Sequence, residues 1–155
     1  MTLHAEPARA HDLRGALDLL GRAELTAQDV SEGWGHYFVV REDDGRVVGV
    51  AGLELHGEDG LLRSVAIDED YRGQGLAASL VEAVLERAGR VGLHAVYLLT
   101  TSARDYFERR GFTSCARDTA PPLIRESWEF KSGCPSSAVF MRREVGSSAA
   151  QAPRG

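Results

Sequence analysis

The chain has 155 residues, enough for one domain that buries a real core without disulfide or metal staples. A formal net charge of −5 argues against a nucleic-acid partner, because phosphate backbones need a basic face. No apolar run is long enough to span a bilayer, the first residues lack the layout of a signal peptide, and Cys115 and Cys134 read as ordinary thiols of a cytoplasmic protein.

Along the chain the pattern is mixed α and β, without internal repeats. Leu3 to Ala5 reads as a short first strand. Asp12 is placed to cap a helix whose Leu13, Ala16, Leu17 and Leu20 share one face. Leu25 to Gly35 is ambiguous, readable as a short helix and a loop. Tyr37 to Val40 reads as a strand, Asp43-Asp44-Gly45 as a hairpin turn and Val47 to Leu55 as the partner strand. Glu58-Asp59-Gly60 reads as a second turn, followed by a strand from Leu61 to Ile67. A long amphipathic helix then runs from Leu76 to about Arg90, with a strand at Ala95 to Leu99 and a short helix from about Ser102 to Arg110. Gly111 is placed as a left-handed cap with Phe112 packing back. Pro121-Pro122 opens another helical turn, and Ala138 to Met141 closes as a strand. The Gly/Ser/Ala-rich end, Gly146 to Gly155, is expected to be a disordered tail behind a single domain of residues 1–145.

Arg72-Gly73-Gln74-Gly75-Leu76-Ala77, between the fourth strand and the long helix, is the most informative segment. Its glycines allow a tight turn with uncovered N–H groups, and the helix N-terminus adds unsatisfied donors and a positive dipole end. Arg72 adds a cation suited to a phosphate oxygen. The segment also fits a dinucleotide fingerprint. That fingerprint, however, wants an acidic residue about 20 positions on to hold a ribose, and the next strand ends in Thr100-Thr101. A Walker A loop is excluded, since no Gly-Lys-Ser/Thr follows.

Antiparallel hairpins, this loop, the long helix, a strand and a short helix closing in Gly111-Phe112 together resemble the GCN5-related N-acetyltransferase (GNAT) family, over roughly Leu3 to Arg143. Arg72, Gly75 and Ala77 stand in register with the family's Arg/Gln-x-x-Gly-x-Gly/Ala motif. The resemblance implies an α/β (α+β) fold with a central, mixed, mostly antiparallel twisted sheet flanked by helices. It further implies acetyl-CoA as co-substrate and no metal. The pyrophosphate would lie on Gly73, Gln74, Gly75, Leu76 and Ala77, and the pantetheine arm beside Ala66 and Ile67. The Ile67 backbone N–H would polarise the thioester carbonyl. Phe107 lies beside the cofactor by the same carry-over and occupies the position where many members have a tyrosine. Tyr106, one residue earlier and about 100° around the helix, is the remaining candidate acid.

Glu54 and His56 are the titratable candidates for the base, Glu54 preferred. The run Leu98-Leu99-Thr100-Thr101 with Tyr106 to Phe112 looks like the acetyltransferase domain of N-acetylglutamate synthases. Pro122-Leu123-Ile124-Arg125 continues that likeness, while Cys134 stands where those enzymes carry a second arginine and Ser136 keeps their serine. Leu61-Leu62-Arg63-Ser64, the Leu98-Leu99-Thr100-Thr101 run and the segment from Glu129-Phe130 to Cys134-Pro135-Ser136-Ser137-Ala138 are similar to stand-alone arsenic-resistance acetyltransferases. Both likenesses imply a small amine acceptor, an α-amino acid with an acidic side chain such as glutamate, arsinothricin or phosphinothricin. Arg63, Arg125 and Ser136 are the expected acceptor-binding residues, with an Arg125–Glu129 surface pair as the bland alternative for Arg125. A protein acetyltransferase and a non-catalytic acyl-CoA sensor are the competing classes, and a homodimer stays open.

Overall fold

Tyr37–Arg41 and Val47–His56 are rich in β-branched and aromatic residues, and they pair antiparallel as the hairpin expected around Asp43-Asp44-Gly45. The computed structural model describes residues 3–133 and 137–145. Among the described residues, seven strands form a mixed, mostly antiparallel sheet: β1 (Glu6–Pro7), β2 (Tyr37–Arg41), β3 (Val47–His56), β4 (Asp59–Ile67), β5 (Ala95–Thr100), β6 (Thr113–Ser114) and β7 (Val139–Glu144). Their order is β1-β2-β3-β4-β5-β7-β6. The helices are α1 (Leu13–Arg22), α2 (Leu76–Arg90), α3 (Arg104–Arg109) and α4 (Pro122–Arg125). Among the described residues no helix is long and apolar enough to cross a membrane.

The chain divides into two compact units. One holds the described residues up to Glu54 and those from Leu62 to Arg87; the other holds Leu55–Leu61 and the described residues from Ala88 onward.

In the first unit, the face of α1 carrying Ala16, Leu19 and Leu20 packs with Val30, Tyr37, Val39, Val47, Val50 and Ala66. Leu13 and Leu17 cover the edge of this cluster. The first strand is Glu6–Pro7, not Leu3 to Ala5: the Ala5 N–H is spent on Ser79 Oγ of α2, 3.0 Å away, and pairing with β2 starts only at Glu6. Asp12 does stand at the N-cap position of α1, but its side chain makes no capping hydrogen bond to that helix. Its carboxylate accepts the Arg9 N–H at 2.8 Å and the Arg41 guanidinium at 2.9 Å, so it closes the short turn Ala10–Asp12 and pins β2. The ambiguous Leu25 to Gly35 stretch resolves into turns leading to a single 3-10 turn, Trp34–His36.

In the second unit, Asp59, Gly60 and Leu61 pair in parallel with Ala95, Val96 and Tyr97. That pairing moves the turn expected at Glu58-Asp59-Gly60 back to Gly57-Glu58, because Asp59 and Gly60 are already strand. β5 runs antiparallel to β7 along its whole length, and β6, which shows no strand pattern in two residues, pairs with Arg142 and Met141. The closing strand therefore starts at Val139 and extends to Glu144, beyond the expected Met141. Leu61, Ala95, Tyr97, Ala120, Ile124 and Phe140 form the buried cluster here, with Phe130 edge-on to Phe140 at 5.4 Å. The expected tail at Gly146 to Gly155 lies outside the described residues.

Candidate functional site

At the end of β4 the chain is fastened by Asp68, which the sequence pattern did not single out. Its N–H donates to Val48 O at 2.8 Å, and its carboxylate accepts the Asp70 N–H at 3.0 Å and faces Arg22 at 3.3 Å. An aspartate just before Glu-Asp-Tyr is the available signal, since Asx side chains bond their own backbone two residues on. The turn Glu69–Tyr71 that follows delivers the loop to the start of α2. Gly73 and Gly75 both sit at φ +80°, and a Cβ at either would meet nothing within 4 Å. Conformation, not crowding, demands glycine at both. Residues 72–75 are exposed and Leu76 is buried, so an uncovered backbone runs directly into a helix N-terminus of 15 residues. Exposed N–H groups, a positive dipole end and the Arg72 guanidinium put hydrogen-bond donors and positive charge at one spot, an arrangement with the chemistry to receive an anion. The Arg72 Nε already donates to the Ile67 carbonyl at 3.2 Å, which ties the loop to the end of β4.

Upstream, the same unit brings Glu54 and Arg63 together. Arg63 Nη1 donates to Glu54 Oε2 at 2.5 Å, with the arginine side chain 1% exposed and the glutamate 14%. The odd cation in an apolar run thus has a carboxylate partner in the preceding strand. Next to it, Ser64 has φ +62°, a left-handed residue inside a strand. The Tyr37 hydroxyl lies 3.1 Å from Ser64 Oγ. The Tyr37 ring stacks on Trp34 (centroids 5.1 Å apart) and covers Gly52, its cross-strand neighbour, where any Cβ would run into the ring. Ala66 is buried and Ile67 half-buried at the end of the strand. The sequence reading named Arg63 but passed over Tyr37 and the backbone of Ser64, because a left-handed serine leaves no mark in composition or periodicity.

In the second unit α3 ends as expected. Gly111, at φ +92°, donates to Glu108 O, and the Phe112 N–H donates to Phe107 O. Phe107 is buried edge-on to Phe112 at 5.6 Å and to Tyr106 at 5.2 Å. The Tyr106 hydroxyl is shielded from solvent and has no hydrogen-bond partner among the described residues. The Arg110 guanidinium lies over its ring at 5.0 Å. α4 stops at Arg125, so the chain does not carry a helical i,i+4 pair on to Glu129; the Arg125 side chain is exposed and has no partner among the described residues. Ser136 and Cys134 lie outside the described residues, and with them any pairing of Cys134 with Cys115. Burial pushes the Cys115 thiol up, against smaller opposing effects of Thr119 and Arg142. His56 is half-buried at the end of β3. No group of His, Cys, Asp and Glu among the described residues is arranged to hold a metal.

Residues 5–112 match the Acetyltransferase (GNAT) family. The chain is similar to an amino-acid acetyltransferase of Aeromonas salmonicida (strain A449), 34% identical over 119 residues, 70% of this chain and 27% of that protein. It spans about a quarter of the length of the curated relatives it matches. N-acetylglutamate synthase from Neisseria gonorrhoeae, solved with coenzyme A and N-acetyl-glutamate, has a similar fold at TM-score 0.81 and 17% identity, over 94% of this chain and 35% of that one. A GNAT family N-acetyltransferase from Escherichia coli, solved with CoA, is similar at TM-score 0.69 and 25% identity, over 96% of this chain and 86% of that one.

Proposed function

The chain belongs to the GNAT acetyltransferase family, and from that premise we propose that it moves the acetyl group of acetyl-CoA onto the amino group of a small, acidic amino acid. The observation that carries the donor half is the Gly73–Gly75 loop, left-handed at both glycines and opening onto the N-terminus of α2. Such a loop offers several N–H donors to one pyrophosphate and leaves the thioester arm free to run back along β4. The acceptor half draws on the relative named an amino-acid acetyltransferase and on Arg125, an exposed guanidinium suited to a bidentate carboxylate. Glutamate, arsinothricin and phosphinothricin are the acceptors of choice, with Ser136 as a further contact.

The reaction needs no covalent enzyme intermediate. The neutral amine attacks the thioester carbonyl carbon, the carbonyl oxygen takes up negative charge, and the carbon–sulfur bond then breaks. The Ile67 N–H is proposed to hold that oxygen, a fixed dipole aimed where charge develops. An α-amino group titrates near pH ~8, so a modest acceptor suffices for the proton it sheds. Glu54 is proposed for that task, directly or through water. Arg63, which pairs with Glu54, is proposed as a further contact for the acceptor. The departing sulfur takes a proton from solvent or from Tyr106, whose shielded hydroxyl has no competing partner among the described residues.

Free-thiol release from acetyl-CoA over a panel of amino acids tests the proposal, with acidic amino acids expected to turn over best. Silence across every amine with CoA still bound would refute it in favour of a non-catalytic acyl-CoA-binding module. Arg125→Ala is expected to raise KM for the acidic amino acid and leave acetyl-CoA affinity alone. An unchanged KM returns Arg125 to the surface.

A further inference from the structure

Three described non-glycine residues have left-handed backbone, and only Ser64 lies within a strand; Glu24 and Asp29 are in turns. Holding an L-residue there costs about 1–2 kcal/mol. Glycine would remove that cost, so a serine at φ +62° makes sense if its hydroxyl is used. It is used: the Tyr37 hydroxyl lies 3.1 Å from Ser64 Oγ. The phenol is also a fixed point. Tyr37 is 1% exposed, its ring is held between Trp34 and the bare backbone of Gly52, and there is no space for it to swing toward Gly52. A single left-handed residue in a strand re-aims the peptide planes that follow it. Here those planes belong to Val65, Ala66 and Ile67.

We propose that Tyr37 is a positioning residue for acetyl transfer: its hydroxyl holds Ser64 left-handed and thereby sets the peptide planes from Val65 to Ile67. This rests on the reading that the Ile67 N–H receives the thioester oxygen. Tyr37 itself touches neither donor nor acceptor in this scheme. It acts through Ser64.

Tyr37→Phe keeps the ring and removes the hydroxyl. Its kcat for the best amino acid of the panel is expected to fall roughly 10- to 100-fold, the range a misplaced reacting geometry produces, with little change in KM for acetyl-CoA. Adding Ser64→Gly should restore much of that loss, since glycine takes the same φ unaided, whereas adding Ser64→Ala should cost little more than Tyr37→Phe alone. Amide ¹⁵N–¹H shifts of Val65, Ala66 and Ile67 are read in parallel and need no turnover. Shifts that move in Tyr37→Phe and return with Ser64→Gly, together with the fall and recovery of kcat, support the proposal, and the shifts report the hold of Tyr37 on this backbone independently of turnover. Unmoved shifts, or an unchanged kcat in an active enzyme, overturn it. A wild-type protein that binds acetyl-CoA but acetylates no amine refutes the acetyltransferase reading separately.

Discussion

Removing Glu54 alone should destabilise the protein more than removing it together with Arg63. In Glu54→Leu a guanidinium whose side chain is 1% exposed loses its carboxylate at 2.5 Å. Breaking a buried pair from one side costs about 3–5 kcal/mol, because a desolvated charge loses a charged partner that water does not replace. Glu54 is itself 14% exposed, so water reaches that end of the pair and the lower figure applies, about 3 kcal/mol. For a chain of this size each kcal/mol is worth roughly 2–4 °C, which puts the fall in Tm at about 6–12 °C. The double variant, Glu54→Leu with Arg63→Met, removes both charges for groups of similar bulk and should return to within about 1–2 kcal/mol of wild type. Urea midpoints at pH 7, with m unchanged, measure all three proteins. Turnover separates the roles: if Glu54 takes the proton, the double variant regains stability but not kcat. A double variant less stable than Glu54→Leu, or a Glu54→Leu protein as stable as wild type, would refute this account of the pair.

Two further outcomes follow from other sites. Burial favours the neutral form of Asp12, but the Arg41 side chain, the Arg9 N–H and the nearby charges of Arg41 and His11 outweigh it, holding its carboxyl below the usual 3.8. A folded-state pKa below the unfolded one means that this stabilisation is complete above the ordinary carboxylate range and is lost as pH falls through the folded value. Asp12→Asn should therefore be less stable than wild type at pH 7, with the gap closing in urea midpoints taken toward pH 3; a gap that is constant with pH would count against it. Gly75→Val places a β-branched residue at φ +80°, a cost of about 1–2 kcal/mol or a displaced loop. Its KM for acetyl-CoA should rise roughly 5- to 30-fold while KM for the amino acid holds. Equal rises in both would detach the loop from the donor.

What the sequence made legible is what has a period, a turn residue or a motif. α2 begins at Leu76 and ends at Arg90 as its apolar spacing requires, and Gly111 caps α3 because a glycine before an apolar residue has few other uses. Boundaries set by distant partners were not legible. Asp12 has the right type and place for an N-cap, yet Arg41, 29 positions on, claims its carboxylate. The turn after β3 slips back because Asp59 and Gly60 find partners in β5, and nothing local to the hairpin announces β5. The same division runs through the site. The turn at Gly73 and Gly75 into α2 is one continuous segment, and its backbone conformation could be read directly. The Glu54–Arg63 pair and the Tyr37–Ser64 bond join residues nine and 27 positions apart, and only the sheet brings each together.

Gly52 and the loop glycines also predict different mutational histories. At positions 73 and 75 space is plentiful and only the torsion is unusual, so a saturation library should rank substitutions by backbone preference, with asparagine and aspartate least harmful and valine and isoleucine worst. At position 52 the torsion is ordinary and the space is gone, so alanine should already fail and the choice of larger residue should hardly matter. A second change that shrinks the Tyr37 ring could reopen position 52, whereas no neighbour can relieve positions 73 and 75. The Gly73–Gly75 loop can therefore drift only along a torsional axis, while the Tyr37–Gly52 contact can change by exchanging volume between two strands.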